Sequence, residues 1–379
     1  MDASTYTSEI SKCVRCGSCK AYCPTYNEGL TEAMSARGRI SLLKGMSEKT
    51  MDPSLRLSEG IYSCILCGSC ETLCPSNIDI TGLIYRGRGL LAKDDRRRRL
   101  LRNIVRFFVK RPMLGFRAAK ILQHVWSPFG VAIPPFSFKE RQQVYRPEKK
   151  IGRVAVFAGC SVNYLYPHLG VSMINVLIQL GYEVVFPVGE ACCGEPLMGL
   201  GLEEDAVMLA RKNYELFSKL NTEAVLSLCP TCIVSLNKYY PKLIGKGLDV
   251  QDVSVFLAEK LKSYPLKPLG NSLPVTYHDP CHHKYSLGIV NEPRELIRST
   301  GLELREAGED GCCGFGGIFS LKYKDMSQEL LKKRVEVYNN TGADTVITSC
   351  PGCMLYLGSG MKGRNVFHII ELIEQAVCS

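Results

Sequence analysis

The strongest constraint on the fold is a cysteine pattern that occurs twice after residue 150. A lone cysteine is followed by a Cys-Cys-Gly segment and then by a Cys-Pro-x-Cys segment, first from Cys160 to Cys232 and again from Cys281 to Cys353. Corresponding cysteines of the two copies are 120 or 121 residues apart. A constant offset of this kind indicates an internal duplication, and therefore two domains of the same design.

Each copy also repeats a pattern of secondary structure. Short apolar runs such as GRVAVF and AVLSL lead into cysteines and predict buried strands, while amphipathic segments between them predict helices. Alternating strands and helices are typical of a parallel sheet, whose ligands gather beyond the carboxyl ends of the strands. We therefore expect two duplicated α/β domains, over 151–270 and 271–379, with the cysteine loops at that edge of each sheet.

The number of cysteines in each copy exceeds the four that a cubane 4Fe-4S cluster or a structural zinc ion uses. Adjacent side chains such as Cys192 and Cys193 do not easily reach two corners of one compact cube, but they could bind two irons of a more open cluster. A single such pair would favour a buried apolar pair or a vicinal disulfide, which the repetition of the whole set disfavours. The first five-cysteine set is Cys160, Cys192, Cys193, Cys229 and Cys232, and the second five-cysteine set is Cys281, Cys312, Cys313, Cys350 and Cys353.

A different cysteine pattern lies near the N-terminus. CVRCGSCKAYCP and CILCGSCETLCP share the spacing C-x2-C-x2-C-x3-C-P, which in ferredoxins holds two cubane 4Fe-4S clusters and lends the fourth cysteine of each run to the other cluster. We expect a helical ferredoxin-type domain over 1–90, with each fourth cysteine at the start of a helix. Structural zinc sites are the alternative. The first ferredoxin site is predicted as Cys13, Cys16, Cys19 and Cys74, and the second ferredoxin site as Cys64, Cys67, Cys70 and Cys23.

Whether so many cysteines are metal ligands or form disulfides depends on the cellular compartment. The segment MDASTYTSEI has no basic stretch before an apolar one, so we expect no signal peptide, and no run approaches the roughly 18 apolar residues of a membrane span. A cytoplasmic chain keeps its thiols reduced, which favours metal ligands over disulfides. Of the nineteen cysteines, Cys378 alone falls outside the four sets and is expected to be an idle thiol.

The net charge of +10 is concentrated in one part of the chain. Residues 86–120 hold 13 Lys and Arg against two Asp and Glu, and we predict a basic helical linker over 91–150. Four arginines, Arg96–Arg99, precede a helix whose apolar face would be Leu100, Leu101, Ile104, Val105 and Phe108. This helix could pack between domains with a solvated basic face, lie on an anionic membrane surface near quinone, or dock an acidic flavoprotein. We expect no nucleic acid partner, because no recognition fold accompanies the charge.

The order of two ferredoxin runs and two Cys-Cys-Gly repeats resembles the iron–sulfur subunits of glycolate oxidase and D-lactate dehydrogenase. It is also similar to the iron–sulfur subunit of anaerobic glycerol-3-phosphate dehydrogenase and to the fused catalytic subunit of heterodisulfide reductase. The segment CPTYNEGLTEAMSARGRISLLKG and the basic stretch leading to GVAIPP look most like the glycolate oxidase subunit. The resemblance implies a noncubane 4Fe-4S cluster on each five-cysteine set, and on complete sets it implies attack on a substrate disulfide.

The resemblance also implies roles for residues around the second five-cysteine set. Cys281, Cys312 and Cys313 would be the catalytic cysteines if the chain cleaves a disulfide. His278, His282 and His283 flank Cys281, and His282 could protonate a released thiolate. The alternative is that these histidines belong to a polar loop that hydrogen-bonds the cluster sulfides.

The expected function is electron transfer. The chain has no flavin or nicotinamide fingerprint after a strand, so the flavin of a 2-hydroxyacid dehydrogenase must lie on another chain. We expect a hetero-oligomer with an FAD-binding flavoprotein, delivering electrons to quinone or another carrier, in the cytoplasm or at the inner face of the membrane. The expected cofactors are two cubanes and one or two noncubane clusters. The alternatives are a catalytic disulfide reductase and a zinc-bearing interaction protein.

Overall fold

The N-terminal domain contains helices, and no strand in the part that the structure describes. The computed structural model describes residues 3–93, 98–123, 132–134, 137–138, 143–270, 274–308, 311–361 and 363–378. The side chains of Ser35, Ser54 and Asp79 each accept a backbone N–H in the first turn and thereby start a helix. The helices are α1 (Ala3–Ser11), α2 (Pro24–Gly29), α3 (Ala36–Ser47), α4 (Leu55–Tyr62), α5 (Ser69–Thr72) and α6 (Ile80–Ala92). The predicted helical ferredoxin-type domain is confirmed.

The basic segment forms two helices, α7 (Arg99–Lys110) and α8 (Pro112–Leu122), while Arg96 and Arg97 lie outside the described residues. The predicted apolar face of α7 is packed in part, because Val105 lies against the apolar core and Leu101 and Phe108 are half-buried. Arg102 is buried and donates to the Ala92 carbonyl, whereas Leu100 is 71% exposed and Ile104 is 46% exposed. Cations of α7 also find acceptors on the neighbouring domains, as Arg106 does on Asp205 at 2.6 Å.

The first α/β domain has a five-stranded sheet in the order β1-β3-β2-β4-β5. All neighbours are parallel except β1, which lies inside the predicted linker and pairs antiparallel with β3. The strands are β1 (Val144–Tyr145), β2 (Gly152–Val156), β3 (Tyr182–Val185), β4 (Ala224–Ser227) and β5 (Val250–Asp252). The helices are α9 (Pro167–Gln179), α10 (Glu195–Gly199), α11 (Glu203–Phe217), α12 (Pro230–Val234), α13 (Tyr240–Ile244) and α14 (Val253–Lys260).

The second α/β domain repeats this topology with a parallel sheet in the order β6-β7-β8. A single parallel bridge between Val275 and Leu304 takes the place that β3 has in the first sheet. The strands are β6 (Val275–His278), β7 (Thr345–Thr348) and β8 (Asn365–His368), and the helices are α15 (Asn291–Ser299), α16 (Ile318–Lys322), α17 (Lys324–Asn339), α18 (Pro351–Gly360) and α19 (Ile369–Cys378). The predicted strands before the cysteines are therefore confirmed as β2, β4, β6 and β7.

The two α/β domains pack against each other through equivalent helices. α19 lies on α9, and α14 lies on α15, so each domain gives its last helix to the first long helix of the other. Leu169 and Met173 of α9 share one buried core with Ile370 and Ile373 of α19. This exchange brings the carboxyl edges of the two sheets close together, because each last helix follows directly on a strand end.

A partly buried carboxylate joins three parts of the chain. Glu59 of α4 pairs with Arg98 before α7 at 2.6 Å and with Lys322 of α16 at 2.8 Å. Its second oxygen accepts the hydroxyl of Tyr323 at 2.6 Å. The ferredoxin-type domain is thus held against both the basic helices and the second α/β domain. No helix in the described part of the chain is long and apolar enough to cross a membrane.

Candidate metal centres

The first ferredoxin site lies near the protein surface. Cys13, Cys16, Cys19 and Cys74 line one small cavity, and Cys16 is exposed. Gly17 between them has a φ of 89°, a left-handed conformation that glycine adopts without strain and that wraps the loop around the cavity. The structure therefore brings together the four thiols that the sequence assigns to this site.

The second ferredoxin site is more deeply buried. Cys67 and Cys70 each interact electrostatically with Cys64 and Cys23, so the fourth cysteine of the first run does reach the second run. Burial raises the pKa of the Cys67 thiol to about 11, which means that a positively charged metal would have to stabilise its thiolate.

The fourth cysteines of the two runs differ in their local structure. Cys23 stands at the N-terminus of α2, where Pro24 takes the first helical position. Cys74 is followed by a turn instead, so the expectation of a helix start after both fourth cysteines is wrong for Cys74. Two cysteines of the five-cysteine sets do stand directly before a helix. Cys229 precedes Pro230, the first residue of α12, and Cys350 precedes Pro351, the first residue of α18.

The first five-cysteine set is a closed cluster of thiols beyond the carboxyl ends of β2 and β4. Hydrogen bonds link Cys160 to Cys192, Cys192 to Cys193, Cys193 to Cys232, and Cys232 to Cys229. Those from Cys192 and Cys232 hold the pKa of the Cys193 thiol well below its ordinary value. All members except Cys160 are buried.

The second five-cysteine set has the same plan with more access to solvent. The Cys313 and Cys353 sulfurs are 3.5 Å apart, and the hydrogen bonds that Cys313 shares with Cys312 and Cys353 hold the pKa of its thiol well below the ordinary value. Cys281 and Cys312 are only half-buried. Both line a cavity of about 590 Å³, whose wall also includes Lys333 and Arg334.

The cysteine groups adjoin one another. Cys67 of the second ferredoxin site lies in one apolar cluster with Cys281 and Cys312 of the second five-cysteine set. Cys229 of the first five-cysteine set interacts electrostatically with Cys350 of the second. The second five-cysteine set therefore lies beside the second ferredoxin site and within electrostatic range of the first five-cysteine set.

The predicted proton donor His282 has both ring nitrogens engaged. Nδ1 lies 2.9 Å from the Thr231 hydroxyl and Nε2 lies 3.1 Å from the Leu66 carbonyl, so this ring connects the first α/β domain to the ferredoxin-type domain. Burial lowers its pKa. His283 pairs with Asp252 at 2.6 Å. The proton-donor role of His282 remains a prediction, and these contacts describe a positioning residue.

Two further residues lie close to cysteine sulfurs. Arg39 of α3 is buried and places Nη1 3.8 Å from the Cys23 sulfur. His278, at the end of β6, has a ring nitrogen that lies with the Cys313 and Cys353 sulfurs inside a span of 4.8 Å. The segment HDPC placed His278 near the set, but not which of its neighbours would face the sulfurs.

The donor sets suit iron–sulfur clusters. All nineteen cysteines, each within the described residues, are free thiols, and eighteen of them converge in four groups. Thiolates are the ligands that iron–sulfur clusters use, and an adjacent cysteine pair in a set of five fits a more open cluster than a cubane. The residues present therefore fit two cubanes in the ferredoxin-type domain and one further cluster on each five-cysteine set.

The glycine after each cysteine pair offers a matched test. Gly194 and Gly314 have φ values of 91° and 89°, so alanine costs about 1–2 kcal/mol at either position. A Cβ on Gly314 would also lie 2.5 Å from the Ser327 carbonyl oxygen, whereas one on Gly194 would have no neighbour closer than 3.6 Å. We expect Gly314→Ala to lower the melting temperature and iron content clearly more than Gly194→Ala. The measurements are thermal melts and iron content of the two variants, purified anaerobically. Equal losses in Gly314→Ala and Gly194→Ala would contradict the steric argument.

Two family models match the chain. Residues 154–237 and 275–358 each match the cysteine-rich domain, and residues 9–78 match the 4Fe-4S dicluster domain. The two matched cysteine-rich segments contain the two five-cysteine sets, and the dicluster segment contains both ferredoxin runs.

Several curated proteins are similar over nearly the whole chain. The glycolate oxidase iron–sulfur subunit of Escherichia coli is 29% identical over 98% of this chain and 95% of its own length. A protein of the dihydromethanophenazine:CoB–CoM heterodisulfide reductase of Methanosarcina barkeri is 26% identical over 97% of this chain and 94% of its own length. A protein of the fumarate reductase (CoM/CoB) of Methanothermobacter marburgensis is 28% identical over 98% of this chain and 73% of its own length.

Among solved structures, a hypothetical protein from Helicobacter pylori has a similar fold. It is 11% identical, with a TM-score of 0.53 over 100% of this chain and 72% of that protein. At this identity the likeness concerns the fold alone. The chain therefore combines a segment that matches the 4Fe-4S dicluster domain with two segments that match the cysteine-rich domain, and it is similar over nearly its whole length to glycolate oxidase iron–sulfur subunits and to a heterodisulfide reductase protein.

Proposed function

We propose that this chain is the iron–sulfur electron-transfer subunit of a flavin-dependent 2-hydroxyacid dehydrogenase complex of the glycolate or lactate type. It would pass electrons between an FAD-binding flavoprotein and quinone or another carrier. The observation that carries the proposal is that Cys67 shares one apolar cluster and one cavity with Cys281 and Cys312, which supports electron transfer between the second ferredoxin site and the second five-cysteine set. When bound, iron–sulfur clusters supply one-electron transfer.

The residues form a path with a surface at each end. Exposed Cys16 marks the outer end at the first ferredoxin site, and the cavity beside Cys281 and Cys312 marks the other. Between them, Cys23 belongs to the first cysteine run but groups with the second ferredoxin site, which ties the two sites together. Electron exchange with two different partners would need two such surfaces.

Similarity to a glycolate oxidase subunit over almost the full length of both proteins supports this assignment. The flavin would then have to be carried by a separate subunit, because the sequence lacks a flavin fingerprint after a strand. A hetero-oligomer with an FAD-binding protein follows from that division of labour.

The test is to purify the chain anaerobically, count its iron and mix it with a candidate FAD-binding 2-hydroxyacid dehydrogenase from the same organism. We expect about 16 irons per chain from four clusters. With glycolate or D-lactate, a quinone analogue should be reduced only when both chains are present. Clusters that stay oxidised in the presence of a substrate-reduced flavoprotein would refute the assignment.

A disulfide reductase of the heterodisulfide type is the second candidate. Two observations favour it: both five-cysteine sets are complete, and the cavity of about 590 Å³ gives a small molecule access to Cys281 and Cys312. Lys333 and Arg334 on its wall would suit an anionic disulfide. Cleavage of a disulfide by the isolated chain with reduced methyl viologen as electron donor would favour this candidate, and its absence from fully loaded protein would reject it.

A further inference from the structure

His278 is a buried polar side chain whose outer nitrogen faces the second five-cysteine set. The residue is 1% exposed, and its Nε2 has no hydrogen-bond partner among the described residues. A ring nitrogen of His278 and the sulfurs of Cys313 and Cys353 all lie within 4.8 Å of one another. An unpartnered buried N–H is costly, so its natural partner is a group bound by these sulfurs.

Two further residues fix the state of this ring. The Tyr338 hydroxyl lies 2.6 Å from His278 Nδ1, and Arg334 donates a hydrogen bond to the Tyr338 oxygen. A guanidinium can only donate, so the Tyr338 oxygen accepts from Arg334 and its own O–H is available for Nδ1. With Nδ1 as an acceptor, the neutral ring carries its proton on Nε2, directed at the sulfurs.

The first α/β domain lacks these polar side chains at the equivalent positions. At the offset of 121 residues, His278, Tyr338 and Arg334 correspond to Phe157, Phe217 and Asn213. Phe157 and Phe217 form the same kind of ring pair, with centroids 5.4 Å apart against 5.9 Å for His278 and Tyr338. Phe157 shares a buried apolar cluster with Cys193 and Cys232.

Asn213 serves a different purpose from Arg334. Its side chain is hydrogen-bonded to the backbone at Ala191, to the Cys192 carbonyl and to the Tyr240 hydroxyl, so it fixes the loop of the cysteine pair. The two α/β domains thus share the cysteines but differ in the side chains that pack beside them. At the first set an apolar ring lies where the second set has an N–H donor.

We propose that His278 donates its Nε2–H to the sulfur ligands of the second five-cysteine set, and that this donor gives the second set a higher reduction potential than it would have without it. The inference rests on the proposed iron–sulfur cluster at that set. A hydrogen bond to a ligating sulfur stabilises the more negative, reduced state of a cluster and so raises its potential. The second set would then be favoured as the place where electrons reach the cavity.

The test replaces the donor with the residue of the other half. In an EPR-monitored redox titration of anaerobic full-length protein, His278→Phe should lower the midpoint of one cluster signal and leave the others in place. His278→Gln keeps an N–H and should recover part of the shift. Tyr338→Phe, which copies Phe217 and removes only the hydroxyl, should shift the same signal by a smaller amount.

The outcomes separate this inference from the proposed cluster. Full iron content with unchanged midpoints in both His278→Phe and Tyr338→Phe would overturn the inference alone. If His278→Phe loses iron, Tyr338→Phe decides, because its size and ring are those of the original residue. If Cys313→Ser contained as much iron as the wild type, the second set would hold no cluster, and both proposals would fail.

Discussion

Cys313→Ser is expected to lose the cluster of the second five-cysteine set while both ferredoxin sites keep theirs. Cys313 is buried at the centre of its set, where the hydrogen bonds that it shares with Cys312 and Cys353 favour its thiolate, and serine cannot replace a soft sulfur ligand. Iron should fall from about 16 to about 12 per chain. Quinone reduction by the complex should fall by at least about 100-fold, the upper range for losing even an outer contact.

Two matched variants make this measurement specific. Cys193→Ser removes the equivalent cysteine of the first set and should cost the same amount of iron but remove a different EPR signal. Cys378→Ser changes an exposed thiol beside the C-terminus and should leave both iron and turnover intact. A Cys313→Ser protein with wild-type turnover would show that electrons do not pass through the second set.

The duplication and the strand positions could be predicted from the sequence because they depend on local patterns. A short apolar run followed by a cysteine fixes both a strand and the edge at which the thiol lies, which is why β2, β4, β6 and β7 were predictable. The sequence also predicts that Cys23 joins Cys64, Cys67 and Cys70, and the structure groups them. In the ferredoxin motif, the fourth cysteine of each run binds the cluster of the other run.

What could not be predicted depends on tertiary partners. The pairing of Arg106 of α7 could not be predicted, because its partner Asp205 lies 99 residues away in sequence. His278 is one of three histidines near Cys281, and only the structure shows that its ring lies between Tyr338 and the sulfurs of Cys313 and Cys353. The local structure after Cys74 could not be predicted either, because a Cys-Pro pair permits a helix to begin there but does not require it.

Arg39 is a charged residue that the structure buries. The segment TEAMSARGRISLLKGM, which contains α3, has the pattern of an amphipathic helix, and its Arg37 and Arg39 could be solvated or could face a cluster or a partner. Arg39 is 1% exposed and donates to the Gly60 carbonyl at 2.8 Å and to the Thr25 and Ser63 hydroxyls at 2.8 and 3.0 Å.

Arg39→Ala is therefore expected to destabilise the ferredoxin-type domain by about 3–5 kcal/mol, since it leaves several buried acceptors unpaired. It also removes the cation 3.8 Å from the Cys23 sulfur, so the second ferredoxin site should lose its iron faster. Because unfolding of a cluster protein is irreversible, the readouts are the rate of bleaching in denaturant and the melting temperature of anaerobic protein.

Arg37→Ala is the matched control on the same helix. Arg37 pairs with Glu32 at 2.8 Å and donates to the Arg15 carbonyl, but the two paired side chains are 28% and 46% exposed, and ion pairs at the surface contribute at most about 1 kcal/mol. Arg39→Lys keeps the charge and loses the planar fork, so it should lie between the two variants. If Arg39→Ala bleached no faster than Arg37→Ala, the buried guanidinium would not be what holds Cys23 in place, and the second ferredoxin site would owe its stability to the loop around Gly68 instead.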